Sequence, residues 1–217
     1  MEIGKELVLL GNSGFLMKHG GNNIYIDPFM LPATDTKADL ILITHAHQDH
    51  YSPDSIDKIL KSGTKIIASR LCEGIEKYQN VKILEPGQSS SAFGIKIDSV
   101  PAYNTNPSKL KWHPRENKWM GYIIEVDGRR IYHSGDTDFI PEMKKIDNIY
   151  AALLPMGDTY TMGVDEMIEA ARAIGADITV PIHYKMQLER AGGNWKEAEQ
   201  KVRDSISSAR ILEEVKP

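Results

Sequence analysis

The sequence predicts an α+β protein in which two β-sheets pack face to face with helices on their outer surfaces. Three observations carry that expectation. Strand-like stretches recur in both halves of the 217 residues. Each half also contains helical segments that need an apolar face to cover. No Pro/Ser-rich linker, low-complexity tract or fixed-period repeat separates the halves, so a single domain over residues 1–217 is expected.

Residues 7–10, 15–17 and 24–26 are short apolar runs separated by Gly11-Asn12-Ser13-Gly14 and Gly20-Gly21-Asn22-Asn23. Gly and Asn supply the positive φ of tight turns, so this stretch reads as an antiparallel meander. Leu40-Ile41-Leu42-Ile43 is continuously apolar, as a strand covered on both faces must be. Ser52-Pro53-Asp54 starts a helix with a hydroxyl cap and a proline in its first turn, and Gly63 ends it. A strand at 65–68, a helix at 71–78, a strand at 81–84, a turn at Glu85-Pro86-Gly87 and a strand at 95–100 follow. Strands at 120–126 and 130–133 flank the hairpin pair Asp127-Gly128, and another strand spans 151–154. Val164, Met167, Ile168, Ala171 and Ile174 fall at helical spacing before Gly175. A strand at 178–182, a helix from Asn194 to about residue 206 with a capping box to Glu197, and an edge strand at 210–215 complete the pattern.

The composition, 41% hydrophobic and 26% charged, excludes a disordered chain and a collagen. A net charge of −4 lacks the positive balance of a protein that mainly grips nucleic acid, so such a partner is not expected. Cys72 is the one cysteine, which rules out an intrachain disulfide and fits a reducing compartment. The apolar run at 7–10 is too short for a signal-peptide core or a membrane span. The expectation is a cytoplasmic protein with no membrane partner.

The strongest chemical signal is Thr44-His45-Ala46-His47-Gln48-Asp49-His50, directly after the buried strand. Residues two apart on an extended segment share a face, so His45 and His47 can grip one cation. The chain must then turn into the helix after Ser52, which lets Asp49 and His50 face a neighbouring position. That is an arrangement for two metals, and imidazole with carboxylate suits zinc, iron or manganese. A structural zinc site would usually employ thiolates, and this chain offers one.

The second signal is Ser134-Gly135-Asp136-Thr137-Asp138, where a carboxylate between two cations could bridge them. Asp136 is the candidate, although Asp136 and Asp138 are also ordinary turn residues. The third is Pro181-Ile182-His183-Tyr184-Lys185, where His183 can emerge at the same sheet edge as His50. A further imidazole is wanted for the first cation. His19 lies beside a glycine turn, His133 is placed to support a ligand from behind, and His113 sits on a loop able to deliver it.

These residues resemble the metallo-β-lactamase superfamily. The likeness rests on Ile26-Asp27-Pro28, the H-x-H-x-D-H motif at 45–50, the Gly-Asp-Thr element at 135–137 and Pro-Ile-His-Tyr at 181–184, and it runs from about residue 7 to 185. More narrowly the chain is similar to the branch that holds ascorbate-6-phosphate-lactonase-like and N-acyl-phosphatidylethanolamine phospholipase-like hydrolases. The resemblance implies a four-layer αββα sandwich with a binuclear metal site at one sheet edge. It implies that His45 and His47 hold the first of two divalent ions, with zinc the leading candidate and manganese or iron alternatives. Asp49, His50 and His183 would hold the second, and Asp136 would bridge. Family members commonly place a histidine at the end of the strand before the Gly-Asp-Thr hairpin, whereas this chain reads Pro101-Ala102-Tyr103-Asn104 there. Either His113, nine residues on, swings in, or Asn104 or a water completes the shell. Asn12 stands where relatives often carry histidine. The glutamate of flavodiiron-type sites is replaced by His47, which favours hydrolysis over oxygen reduction.

Two adjacent cations can lower the pKa of bound water from about 15.7 toward 7, and the expected reaction is hydrolysis of an ester-like bond such as a phosphodiester or lactone. Asp49 would orient the hydroxide, and Tyr184 or Asn104 would stabilise the oxyanion or protonate the leaving group. Lys109, Lys111, Arg115 and Lys118 against Glu116 make the 109–118 loop basic, either as a lid for an anionic small molecule or as a solvated loop. Lys111, Arg115 and Lys185 are the candidate substrate contacts. A metallo-nuclease and a metal-binding regulatory protein with a degenerate first site are the alternatives.

Overall fold

The computed structural model describes residues 2–215. β1 (Leu7–Gly11), β2 (Gly14–His19) and β3 (Asn22–Ile26) form the antiparallel meander, and β4 (Leu40–Ile43) runs parallel to β3. After α1 (Pro53–Ile59), β5 (Lys65–Ala68) and β6 (Val81–Ile83) extend this sheet in parallel. The second sheet begins with β7 (Ser89–Ala92), β8 (Ile95–Pro101), β9 (Met120–Val126) and β10 (Arg129–His133), each antiparallel to the next. β11 (Ala151–Pro155), α2 (Val164–Ile174) and β12 (Ile178–Ile182) follow, with both strands parallel to β10. α3 (Lys185–Arg190) and α4 (Trp195–Ser205) come last. Each six-stranded sheet keeps its strands in chain order, and among the described residues no helix is long and apolar enough to cross a membrane.

The period of two along each strand explains the layering. On β4, Leu40 and Leu42 enter the core between the sheets, while Ile41 and Ile43 enter the core under α1. On β11, Ala151 and Leu153 face between the sheets, while Ala152 and Leu154 face α2 and α4. Ile56 and Ile59 of α1 close one outer face, and Met167, Ala171 and Val202 close the other. The result is the four-layer αββα sandwich, and it accounts for the continuous apolar runs that strands buried on two faces require.

Two elements differ from expectation. Residues 71–78 form no α-helix but only a 3₁₀ turn at Ile75–Lys77, because Leu71 at φ 68° and Gly74 at φ 74° adopt left-handed backbone that breaks a right-handed helix. The edge strand expected at 210–215 reduces to a single bridge between Glu214 and Leu9, with Val215 N–H donating to the Leu9 carbonyl. The serine-rich β7 and the short α3 carry too little apolar periodicity to be read in advance.

The sheets are pinned together beside the 44–50 loop. The buried Tyr122 hydroxyl donates to the Ile43 carbonyl at 2.7 Å, crossing from β9 to the end of β4. Next to it, a Cβ on Gly121 would lie 2.5 Å from the carbonyl oxygens of both His133 and Ser134. That backbone leads directly into Gly135 and Asp136. Gly121→Ala is therefore expected to cost about 1–3 kcal/mol through forced displacement of packed backbone, seen as a lower urea midpoint. An unchanged midpoint would contradict this packing.

Candidate metal centre

Four segments leave their strands at the same edge of the sandwich. The 44–50 loop follows β4, residues 134–138 follow β10, His183 follows β12, and residues 102–119 connect β8 to β9. They bring together three overlapping sets of ligand atoms, each within 4.8 Å: His45, His47 and His113; His45, His50 and Asp136; Asp49, His50 and His183. Asp136 lies between the flanking sets. Its Oδ2 is 3.4 Å from His113 Nε2, 4.0 Å from His45 Nε2 and 3.3 Å from His183 Nε2, while its Oδ1 is 3.4 Å from His50 Nε2. His183 Nε2 is 3.0 Å from Asp49 Oδ2.

Side chains behind the cluster set the ring orientations. His50 Nδ1 lies 2.7 Å from Asp27 Oδ2, and Asp27 is itself held by the amide and hydroxyl of Thr44. The same hydroxyl lies 3.0 Å from His45 Nδ1. Asn104 Oδ1 is 3.0 Å from His113 Nδ1. Asp138 receives the Asn104 amide and the backbone N–H groups of Thr105 and Asn106, which fixes the loop that delivers His113. Asn12 donates to Asp49 Oδ2 at 3.1 Å, accepts from Gln187, and takes the His183 N–H on its carbonyl. His133 lies behind, 2.8 Å from the Ser13 carbonyl. Asp27 and His183 both hold positive φ, a strained conformation that the surrounding contacts must impose.

The electrostatics suit cation binding. Burial, aided by the charge of His50, keeps the His45 imidazole well below its usual pKa, and burial lowers His47 to about 4. Both rings are thus neutral at pH 7, the form that ligates. For Asp136, burial opposes ionisation, but His183 and His50 outweigh it and hold the carboxyl well below the usual range. Burial likewise opposes ionisation of Asp49, and His50 and His183 outweigh it. His50 moves the other way: burial disfavours its charge, but Asp136, Asp49 and Asp27 raise its pKa. His50 Nε2, His113 Nε2 and Asp136 Oδ1 are buried without a hydrogen bond of acceptable geometry. Buried polar atoms of that kind are costly, and the set of imidazole nitrogens and carboxylate oxygens fits zinc, manganese or iron.

Several of the other expected site residues have partners of their own. Tyr184 donates its hydroxyl to Glu199 on α4, so it has no proton to offer the cluster. Asn104 uses both amide hydrogens, on Asp138 and on the Tyr160 carbonyl, and its oxygen faces His113. It orients a ligand and cannot also be an oxyanion donor. Arg115 stacks over Tyr103 and pairs with Glu142, Lys111 lies over Trp112, and Lys118 pairs with Glu85. Lys109 is buried against the Thr161 carbonyl. Arg115 and Lys118 of the basic loop thus already have acidic partners. Lys185 lies over the Trp195 ring and 3.9 Å from Glu199.

A cavity of about 430 Å³ opens over the cluster, lined by His47, Asp49, His113, Asp136 and His183. Trp112, Tyr160 and Arg190 stand on its walls, and none of the three was singled out from sequence as a contact in the cavity. Trp119 packs against His45, His47 and His113 with ring centroids 4.8–5.8 Å apart. Asp27 is an acidic side chain between the apolar Ile26 and Pro28, a sequence signal for a buried role.

Comparison with known proteins agrees with this geometry. Residues 6–183 match the β-lactamase superfamily domain, the class that the paired sheets and the His/Asp cluster at their edge define. Within it, the chain belongs to the UPF0173 metal-dependent hydrolase family. Members from Thermococcus onnurineus and Thermus thermophilus are 36% and 32% identical to it over 189 and 199 residues, which covers 81% and 82% of this chain and 82% and 83% of theirs. A Parabacteroides distasonis structure assigned as a metal-dependent hydrolase is similar with a TM-score of 0.84 at 36% identity, covering 96% of this chain and 92% of that one. Igni18, a metallo hydrolase of Ignicoccus hospitalis, gives a TM-score of 0.74 at 28% identity, covering 94% and 92%.

Because Asp27 orients His50, Asp27→Ala is expected to weaken zinc binding about 10–100-fold, the usual effect of removing a carboxylate behind a ligating histidine. Competition against a chromophoric chelator reads the change. An affinity equal to that of the unaltered protein would show that Asp27 does not set the ring.

Proposed function

We propose that the chain is a hydrolase of ester-like bonds whose centre takes two divalent cations, zinc first among the candidates. The observation that carries this reading is Asp136, buried with one oxygen toward His113 and His183 and the other toward His50. His45, His47 and His113 would hold one cation, Asp49, His50 and His183 the other, and Asp136 would lie between them. His113 supplies the imidazole missing from the strand end, which weakens the alternative of a degenerate first site. Cations held there would supply Lewis acidity, bringing the deprotonation of water near neutral pH and polarising a substrate oxygen.

The chain's own residues do the rest. Asn12 holds Asp49 by Oδ2, which leaves Oδ1 to align the attacking water. The phenol on the cavity wall is Tyr160, whose ring packs edge-on against Trp112. Its hydroxyl takes the role first given to Tyr184, donating to the oxygen on which charge develops. Arg190, at the end of α3, is the cation that lines this cavity and is the group that would first meet an anionic substrate. Phosphodiesters and lactones, the classes suggested by the narrower motif resemblance, both place an ester oxygen beside such a cation.

Zinc- or manganese-loaded protein should hydrolyse at least one member of a panel of phosphodiesters, carboxylic esters and lactones, and a chelator should abolish that turnover until metal is restored. Turnover indifferent to chelation would contradict the reading. On the best substrate, Tyr160→Phe should lower kcat by about 100-fold, with a smaller change in KM. Arg190→Gln should raise KM for anionic substrates while leaving KM for neutral ones near its original value. Equal effects on both would remove Arg190 from substrate recognition.

A further inference from the structure

A second cavity, of about 280 Å³, adjoins the one over the cluster and shares Phe29, Met30, His183 and Met186 with it. Its remaining walls include Leu9 and Leu10 from β1 and the ring of Tyr184, whose hydroxyl is turned away onto Glu199. Two charged residues reach it. Lys185 is drawn toward Glu199 and the Trp195 ring, whereas Glu214 is exposed and forms no ion pair with a described residue. Most of the remaining lining is apolar, so a charged group placed here would lose hydration with little in return.

Met30 stands at the junction of the two cavities. It is 75% exposed, the most exposed large apolar side chain among the described residues, and its backbone holds φ 50°. A methionine at positive φ is uncommon and unfavourable, and nothing in the packing of Met30 itself repays it. His183 forms part of both cavities, so the second one opens beside the cluster.

We propose that this second cavity takes an uncharged apolar substituent of the substrate, so that the compound hydrolysed is amphipathic, with its scissile group over the His/Asp cluster and an alkyl chain or small ring against Leu10, Phe29, Met30 and Met186. The proposal rests on the hydrolase reading above and names the substrate class for that same site. An apolar wall of this kind favours longer chains by up to about fourfold per buried methylene.

The test uses zinc-loaded full-length protein with two acyl hydroxamates, acetohydroxamate and octanohydroxamate, in which one chelating group carries different tails. Calorimetry should give octanohydroxamate a Kd at least about 100-fold lower, a fraction of the gain that full burial of its extra methylenes would allow. Met186→Glu and Met30→Glu, checked for folding by circular dichroism, should each cut that ratio at least about tenfold. Affinity independent of chain length, no binding of octanohydroxamate, or a ratio unchanged in both variants would overturn the proposal. A parallel assay with 4-nitrophenyl acetate and octanoate separates the two claims. A chain-length gain in binding without turnover of either ester would sink the ester reading and leave the apolar subsite standing. Turnover with no gain in binding or rate would do the reverse.

Discussion

A carboxylate buried among imidazoles from three other parts of the chain is the constraint on which this structure turns. Asp136 lies within 4.0 Å of nitrogens on His45, His50, His113 and His183, and all five side chains are almost fully withdrawn from water. Burying so many polar atoms is unfavourable unless each finds a partner, and protein groups alone leave His50 Nε2, His113 Nε2 and Asp136 Oδ1 unsatisfied. A bound metal would satisfy such atoms by accepting their lone pairs. The cluster is therefore best understood as a site whose stability and chemistry are linked to metal.

The fold exists, in this view, to hold those atoms still. Alternating side chains on β4 and β11 bind each sheet into two cores at once, so the strand ends that carry the ligands are anchored on both faces. Asp27, Thr44, Asn104 and Asp138 then convert rigid strand ends into fixed ring orientations. Asn12 extends the same logic across the sandwich. The turn between β1 and β2 reaches Asp49 through its side chain and His183 through its carbonyl, so a single residue registers a loop from one sheet against a loop from the other.

Much of this was legible in the sequence because the strongest signals are local. His45, His47, Asp49 and His50 are close enough along the chain that extended geometry for the first two and the turn before Ser52 for the others group them, and Leu40–Ile43 announces a strand buried on two faces. His183 and Asp136 required the further assumption that strands from both halves end at one edge. The helix expected at 71–78 failed because its apolar spacing was read without the left-handed backbone at Leu71 and Gly74. Tyr184, Asn104, Arg115 and Lys185 meet partners, Glu199, Asp138, Glu142 and Trp195, that tertiary packing brings to them and residue order does not reveal, whereas Lys111 lies over its sequence neighbour Trp112. Tyr160 and Arg190 escaped notice because each stands alone in sequence, without a neighbouring residue type to mark it.

The central claim is that two cations share Asp136, and anomalous diffraction from crystals grown with zinc tests it without reference to any substrate. The account predicts two anomalous peaks roughly 3.5–4 Å apart, the spacing of paired catalytic metals. One peak should be bounded by His45, His47 and His113 and the other by Asp49, His50 and His183, with the Asp136 carboxylate between them. A single peak, or zinc bound with Asp136 outside its coordination shell, would contradict it.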